Sequence, residues 1–356
     1  MTIKTFFPAC LSLALFACSK HSNAPTTPKD SSATKQTNVY CVGTYADDTT
    51  LLRACYWKND SLALLPGGGY SGANAIALAG SDLYIAGVLN NQPVYWKNGS
   101  LVSLSHGLAQ EQATAICVNG PNVYVAGQGS DTAFSNNPIA WYCVNGQLTL
   151  LSSDTCTTFV NGMAVSGGNV YVVGFQTTPS NPRAVAKCWV NGIATNLTDG
   201  TRSSTATGIY ISGTDIYITG QVSDVAGMHY MATYWKNGIP VTLSDSSGLD
   251  AALGISVSGS DVYVSGTTQT GNVNSKTSDL IGAYWKNGTY TQLSDGTLDC
   301  HIENLALSGQ DVYIAYYSYS HNGFAVPTYF KNGQSTTLYQ ETTATSYVNT
   351  ILVATQ

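Results

Sequence analysis

The sequence predicts an all-β fold built from seven copies of one four-stranded unit. Three observations carry this expectation. The run Tyr284-Trp285-Lys286-Asn287-Gly288 recurs at 95–99 and 234–238, with weaker copies at 56–60, 142–146, 188–192 and 329–333. A second motif, Gly-x-Asp/Asn-aliphatic-Tyr, ends in Tyr84, Tyr124, Tyr171, Tyr217, Tyr263 and Tyr313, and Asn38-Val39-Tyr40 repeats it without the glycine. Successive tyrosines lie 44, 40, 47, 46, 46 and 50 residues apart. That period signals an array of small sheets and overrides the two-domain expectation that 356 residues would otherwise raise. Composition is the third observation: 35 glycines, 10% charged residues, and many Ser, Thr, Asn, Val and Tyr favour strands and turns over helices.

The first 36 residues stand outside the repeat. Lys4 precedes an apolar run from Phe6 to Ala17, followed by Cys18. A charged start, a short apolar core and a small residue before the cut describe an export signal over residues 1–17, too short to span a membrane. Leu15-Phe16-Ala17-Cys18 resembles a bacterial lipobox. That resemblance implies lipidation of Cys18, anchorage in the cell envelope and, with Ser19 next, the outer membrane. Residues 18–36 are polar, without apolar period, and read as a flexible tether.

Within each unit some spacings are fixed. The aromatic slot (Trp57, Trp96, Cys143, Trp189, Trp235, Trp285, Phe330) precedes a leucine by eight residues in every copy. The motif glycine precedes its tyrosine by four. Only the step from tyrosine to aromatic slot varies, from 12 to 22 residues. Each unit thus parses into an apolar strand a, a tight Gly-x-Asp/Asn turn, strand b, a variable loop, strand c, an Asn-Gly turn and strand d. Asn-Gly suits a two-residue hairpin turn because both positions need positive φ. The slot aromatics are expected in the core.

The first unit, beginning at Asn38, has no strand a. The end of the chain supplies one: residues 348–354 align with 160–166. Closure by this segment would remove exposed sheet edges. The chain from 37 to 356 therefore resembles a seven-bladed β-propeller, similar in plan to WD-repeat, kelch and NHL-type propellers. Its Trp-x-Asn-Gly part is similar to the HAF-type repeats of bacterial extracellular proteins. The resemblance implies an architecture and no particular activity.

A net charge of −6 and no Lys/Arg cluster exclude a nucleic-acid footprint. No G-x-S-x-G, Walker A or dinucleotide fingerprint is present. The loops 245–250 and 295–299 carry aspartates without completing a calcium loop, so no cofactor is predicted, with calcium at these loops as the alternative. Cys41 and Cys55 are a candidate disulfide across one hairpin.

Candidate binding residues lie on the face carrying the b–c loops and d–a connections, because variable loops on a rigid scaffold carry function. Six residues before each motif glycine stand Asn74, Thr114, Asn161, Thr207, Leu253 and Glu303, with Asn349 by alignment. These are expected to ring the channel mouth, either as ligand contacts or as caps for local backbone groups. Glu303, the one charge in the ring, sits near His301 and Asp299 and makes weak catalytic candidates of all three. The last b–c loop is expected to be aromatic, with Tyr316, Tyr317, Tyr319, His321 and Phe324. Asn74, Asn161, Glu303, Asn349, Tyr317, Tyr319 and His321 are the binding set. The leading expectation is a lipid-anchored monomer that binds a glycan or protein without catalysis. The alternatives are a polysaccharide hydrolase or lyase, and a structural envelope protein.

Overall fold

The computed structural model describes residues 36–46, 51–130, 137–152, 155–245, 247–269, 280–320, 322–339 and 345–355. The export signal, Cys18, most of the tether and His321 lie outside them. The described strands form seven four-stranded antiparallel sheets. In blade 2, strand a is Ser71–Ala79, b is Asp82–Leu89, c is Gln92–Lys97 and d is Ser100–Ser103. Blades 3 to 7 repeat this order. In blade 1 the innermost strand is Tyr347–Thr355, paired antiparallel to Thr37–Ala46, with Cys41 opposite Ile351. Each strand a touches the strand a of the next blade, and Tyr347–Thr355 touches Ser71–Ala79, so the ring is closed. The fold is a seven-bladed β-propeller.

The Asn-Gly turns do more than reverse the chain. All seven asparagines at this position have positive φ, from Asn59 at 45° to Asn237 at 52°. Each side chain also reaches the start of strand b in its own blade, which in blades 2 to 7 is the a–b turn. Asn98 accepts from the Leu83 N–H at 2.9 Å and donates to Asp82 Oδ1 at 2.8 Å. The same pair of bonds recurs in the other six blades, through Asn59, Asn145, Asn191, Asn237, Asn287 and Asn332. This places both tight turns on one face. Where the a–b turn has Asp, strand c ends in Lys: Asp82–Lys97, Asp215–Lys236, Asp261–Lys286 and Asp311–Lys331 are ion pairs. Each of these lysines also lies over the motif tyrosine, at 5.1–5.3 Å. Blades 3 and 4 carry Asn122 and Asn169 instead of Asp, and there the lysine position is Val144 or Val190.

The core lies between neighbouring sheets. All six tryptophans are essentially fully buried. Blade 3 has Cys143 in the aromatic slot, but Trp141, two residues earlier on the same face, supplies the ring. Blade 7 solves the same volume problem differently. Elsewhere strand b carries a glycine such as Gly220, where an added Cβ would strike the Thr205 carbonyl and come within 2.9 Å of Trp235. Blade 7 has Tyr316 in place of that glycine and Phe330 in place of the tryptophan. The two rings stack, with centroids 4.3 Å apart. Tyr316 is therefore a core residue, not part of a loop.

The expected Cys41–Cys55 disulfide does not form. Cys41 stands opposite Trp57 and Cys55 opposite Gly43, so the two are offset by two residues in register. Both are buried free thiols.

Candidate functional site

The seven strands a surround a central channel. Near the loop face a cavity of about 410 Å³ is lined by Asn74, Thr114, Asn161, Thr207, Leu253, Glu303 and Asn349 together with their strand neighbours. These are the seven positions singled out by spacing, and each is a β-bulge. Ala73 pairs with Gly87 and Ala75 with Ala86, which leaves Asn74 as the extra residue. The same skip isolates Thr114, Asn161, Thr207, Leu253, Glu303 and Asn349. A bulge leaves one residue out of the ladder and re-aims its side chain. Toward the tight-turn face the channel continues as a second cavity of about 480 Å³, and Ile76, Ile209 and Ile255 border both.

Most ring side chains are tied to the next blade. Asn74 donates to Ala113 O at 2.8 Å, Asn161 to Ala206 O at 2.7 Å, Thr207 to Ala252 O at 2.6 Å and Asn349 to Ala73 O at 2.8 Å. Each acceptor is the carbonyl just before the next ring residue. Thr114 bonds within its own blade, to Ala126 O at 3.3 Å. Leu253 has nothing to donate. In blade 7, Asn304 crosses to Thr350 Oγ1 at 2.8 Å, and no hydrogen bond or ion pair reaches Glu303 from a described residue. Burial pushes the Glu303 carboxyl up to about 8.

Glu303 adjoins an aromatic group. His301 stacks on Tyr317 with centroids 4.7 Å apart and planes 7° from parallel. Tyr319 and Tyr347 meet Tyr317 edge-on, at 6.0 and 5.0 Å. Burial, then the nearby Glu303 carboxyl, raise the Tyr317 phenol well above its ordinary value. His301 is a strand residue. It lies in strand a, Cys300–Ser308, directly opposite Tyr317 in strand b, Asp311–Tyr319. Both strands run further than their apolar cores suggested, which turns Tyr317 and Tyr319 into strand residues sharing one face. Burial lowers the His301 pKa and Asp299 partly restores it. Asp299 itself accepts the Leu280 N–H at 2.9 Å and so anchors the start of strand c. Among the described residues no three His, Cys, Asp or Glu side chains cluster as a metal site.

A buried polar position nine residues before the motif glycine was missed in the sequence. It holds Ser71, Glu111, Thr158, Ser204, Asp250, Cys300 and Ser346, all buried. Ser71 and Ser204 accept a strand c N–H from the preceding blade, Ala54 at 2.9 Å and Ala186 at 3.1 Å. In blades 2 and 7 that strand c position is Pro93 or Pro327, which has no N–H to give. Glu111, fully buried, turns instead to the His106 N–H at 3.0 Å and to His106 Nδ1 at 3.2 Å. No motif marks this pair; only the coincidence of Pro93 with an acidic residue in the next blade hints at it.

No protein-family model matches the chain, and no curated protein matches it in sequence. Solved structures do match in shape. A Mycobacterium tuberculosis puromycin-hydrolyzing peptidase superposes with a TM-score of 0.56 at 11% identity, over 89% of this chain and 53% of that one. Pyrococcus horikoshii acylaminoacyl peptidase gives 0.53 at 12%, over 85% and 50%. The β-propeller domain of the trilobed protease from Pyrococcus furiosus gives 0.53 at 10%, over 87% and 96%. The chain thus spans about half the length of the two peptidases. Likeness at this identity shows the propeller fold alone. The trilobed protease domain is described as having an open velcro topology. Here the ring is closed by the last strand.

Proposed function

We propose that this chain is a lipid-anchored, non-enzymatic binding propeller that takes a glycan at the loop-face mouth of its channel. The carrying observation is the stack of His301 on Tyr317, with Tyr319 and Tyr347 edge-on, beside a polar cavity. Flat aromatic faces pack against the apolar face of a sugar ring, and neighbouring amide and hydroxyl groups meet its hydroxyls. The anchor reading rests on Cys18 and its preceding residues. A cavity at the mouth speaks against a purely structural envelope role, which calls for an unpocketed face.

One observation favours the second reading, a polysaccharide hydrolase or lyase. The Glu303 carboxyl, pushed up to about 8, lies close enough to Tyr317 to perturb it, and a carboxyl with such a pKa suits acid–base work near neutral pH. Among the described residues no second carboxylate joins Glu303 in the cavity lining, and Asp299 is engaged with backbone. The balance favours binding.

A glycan array probed with a soluble form starting at residue 37, which contains the whole ring, tests this reading. Specific glycan binding should appear and drop at least tenfold in Tyr317→Ala. Absence of any glycan signal, or a signal indifferent to Tyr317→Ala, overturns it. New reducing ends or chain cleavage on incubation with the bound polysaccharide would transfer the assignment to the enzymatic reading.

A further inference from the structure

Glu303 breaks the rule that governs its ring. Asn74, Asn161 and Asn349 each turn a side-chain amide toward a backbone carbonyl of the next blade. A carbonyl only accepts, so that end must be the NH₂. The Oδ1 of Asn74 takes a longer bond from Asn349 at 3.4 Å, while those of Asn161 and Asn349 accept nothing from a described residue. The Thr207 proton is likewise committed to Ala252 O. One N–H of each amide and the Thr207 hydroxyl are thus committed to backbone, which leaves the Oδ1 atoms of Asn161 and Asn349 open to an incoming donor. Glu303 adds a carboxyl that nothing in the described chain satisfies, while Asn304 makes the interblade bond in its blade. Among the described residues no lysine or arginine lines the cavity.

A carboxylate withdrawn from bulk water without a donor is costly. It is relieved by taking up a proton or by a cation from outside the chain. One carboxylate is a poor site for a divalent metal, which needs several oxygen ligands. It suits an ammonium, which brings its own three donors. The aromatic faces beside it add attraction, since ring faces carry negative potential.

We propose that the glycan bound at this mouth carries a free amino group, a de-N-acetylated amino sugar, whose ammonium docks on the Glu303 carboxylate while its ring packs on the Tyr317–Tyr319–Tyr347 group. The proposal rests on the glycan reading above. The titratable group that feels Glu303 is Tyr317, which has Tyr319 and Tyr347 against its ring and His301, beside Asp299, stacked on its face. None is a permanent cation, so the ligand's ammonium meets no positive competitor. Docking an ammonium favours the ionised carboxylate. The proton leaves Glu303 for the buffer, and the ammonium keeps its own.

Calorimetric titration at pH 6, where the sugar amine is an ammonium, compares a β-1,4-linked glucosamine tetrasaccharide with its fully N-acetylated form. The amine form should bind at least tenfold tighter. Its apparent enthalpy should vary between buffers of different ionisation enthalpy, reporting proton release. Glu303→Gln should bring the ratio close to one and abolish the proton release, with melting still cooperative. Equal binding of the two forms, or a preference that survives Glu303→Gln, overturns the proposal. If N-acetylated or neutral glycans bind and depend on Tyr317 while the amine confers no advantage, this proposal falls and the glycan reading stands. If neither form nor any arrayed glycan binds, both fall.

Discussion

Asn287 ties the two tight turns of its blade together: its Nδ2 donates to Asp261 Oδ1 at 2.8 Å while its Oδ1 accepts the Val262 N–H at 2.9 Å. Lys286 and Asn287 hold the Asp261 carboxyl below its usual range. The residue therefore serves the turn twice, by tolerating φ of 51° and by cross-linking to the neighbouring turn. Substitution separates the two roles. Asn287→Gly keeps the backbone freedom and loses both bonds, whereas Asn287→Ala loses both bonds and strains the turn. Denaturant melts should rank the chain above Asn287→Gly and Asn287→Ala lowest, the total loss being about 1–3 kcal/mol. If Asn287→Gly melts like the parent, the cross-link contributes nothing.

Tyr316 and Phe330 occupy the volume that glycine and tryptophan fill in other blades. Tyr316→Gly alone should open a cavity and cost about 3–5 kcal/mol. Phe330→Trp alone should overpack the site by about 1–3 kcal/mol. The double variant restores the pairing found in blade 5, Gly220 with Trp235, and should be more stable than Tyr316→Gly alone. A double-mutant cycle measures this coupling. Strict additivity would show that the two positions do not compensate.

Glu303 makes stability depend on pH in a calculable direction. Its folded carboxyl titrates at about 8 against an ordinary value of 4.5. Below pH 4.5 both folded and unfolded chains hold the proton, and no difference arises. Between pH 4.5 and 8 the unfolded chain ionises first, so the folded state loses stability as pH rises, and the loss levels off above 8. Glu303→Gln removes that loss. Its Tm should match the parent near pH 4, exceed it at pH 6 and exceed it most at pH 8. The depressed carboxyls of Asp82, Asp215, Asp261 and Asp311 act at the acid end and are common to both proteins. A gap between the two proteins that is the same at all three pH values would refute burial of this carboxyl.

The blade count, the four-strand parse, the two tight turns and the closing strand are legible in the residues alone. These are repeated local patterns, and seven imperfect copies let fixed spacings stand out from variable ones. The channel ring at Asn74, Asn161, Glu303 and Asn349 is legible there too, since the offset from the motif glycine is constant. What those side chains do follows from how the blades pack. Asn349 donates to Ala73, 276 residues away, and Asn74 to Ala113 in the next blade. Such bonds depend on blade packing and on a bulge that lifts one residue out of the ladder, neither of which alters the local pattern. The same holds for Tyr316, sent into the core by strand alternation, and for His301 and Tyr317, brought face to face by register. Periodicity fixes what repeats within a strand. Which polar groups are satisfied, and which finds no partner among the described residues, as with Glu303, depends on the neighbouring blade.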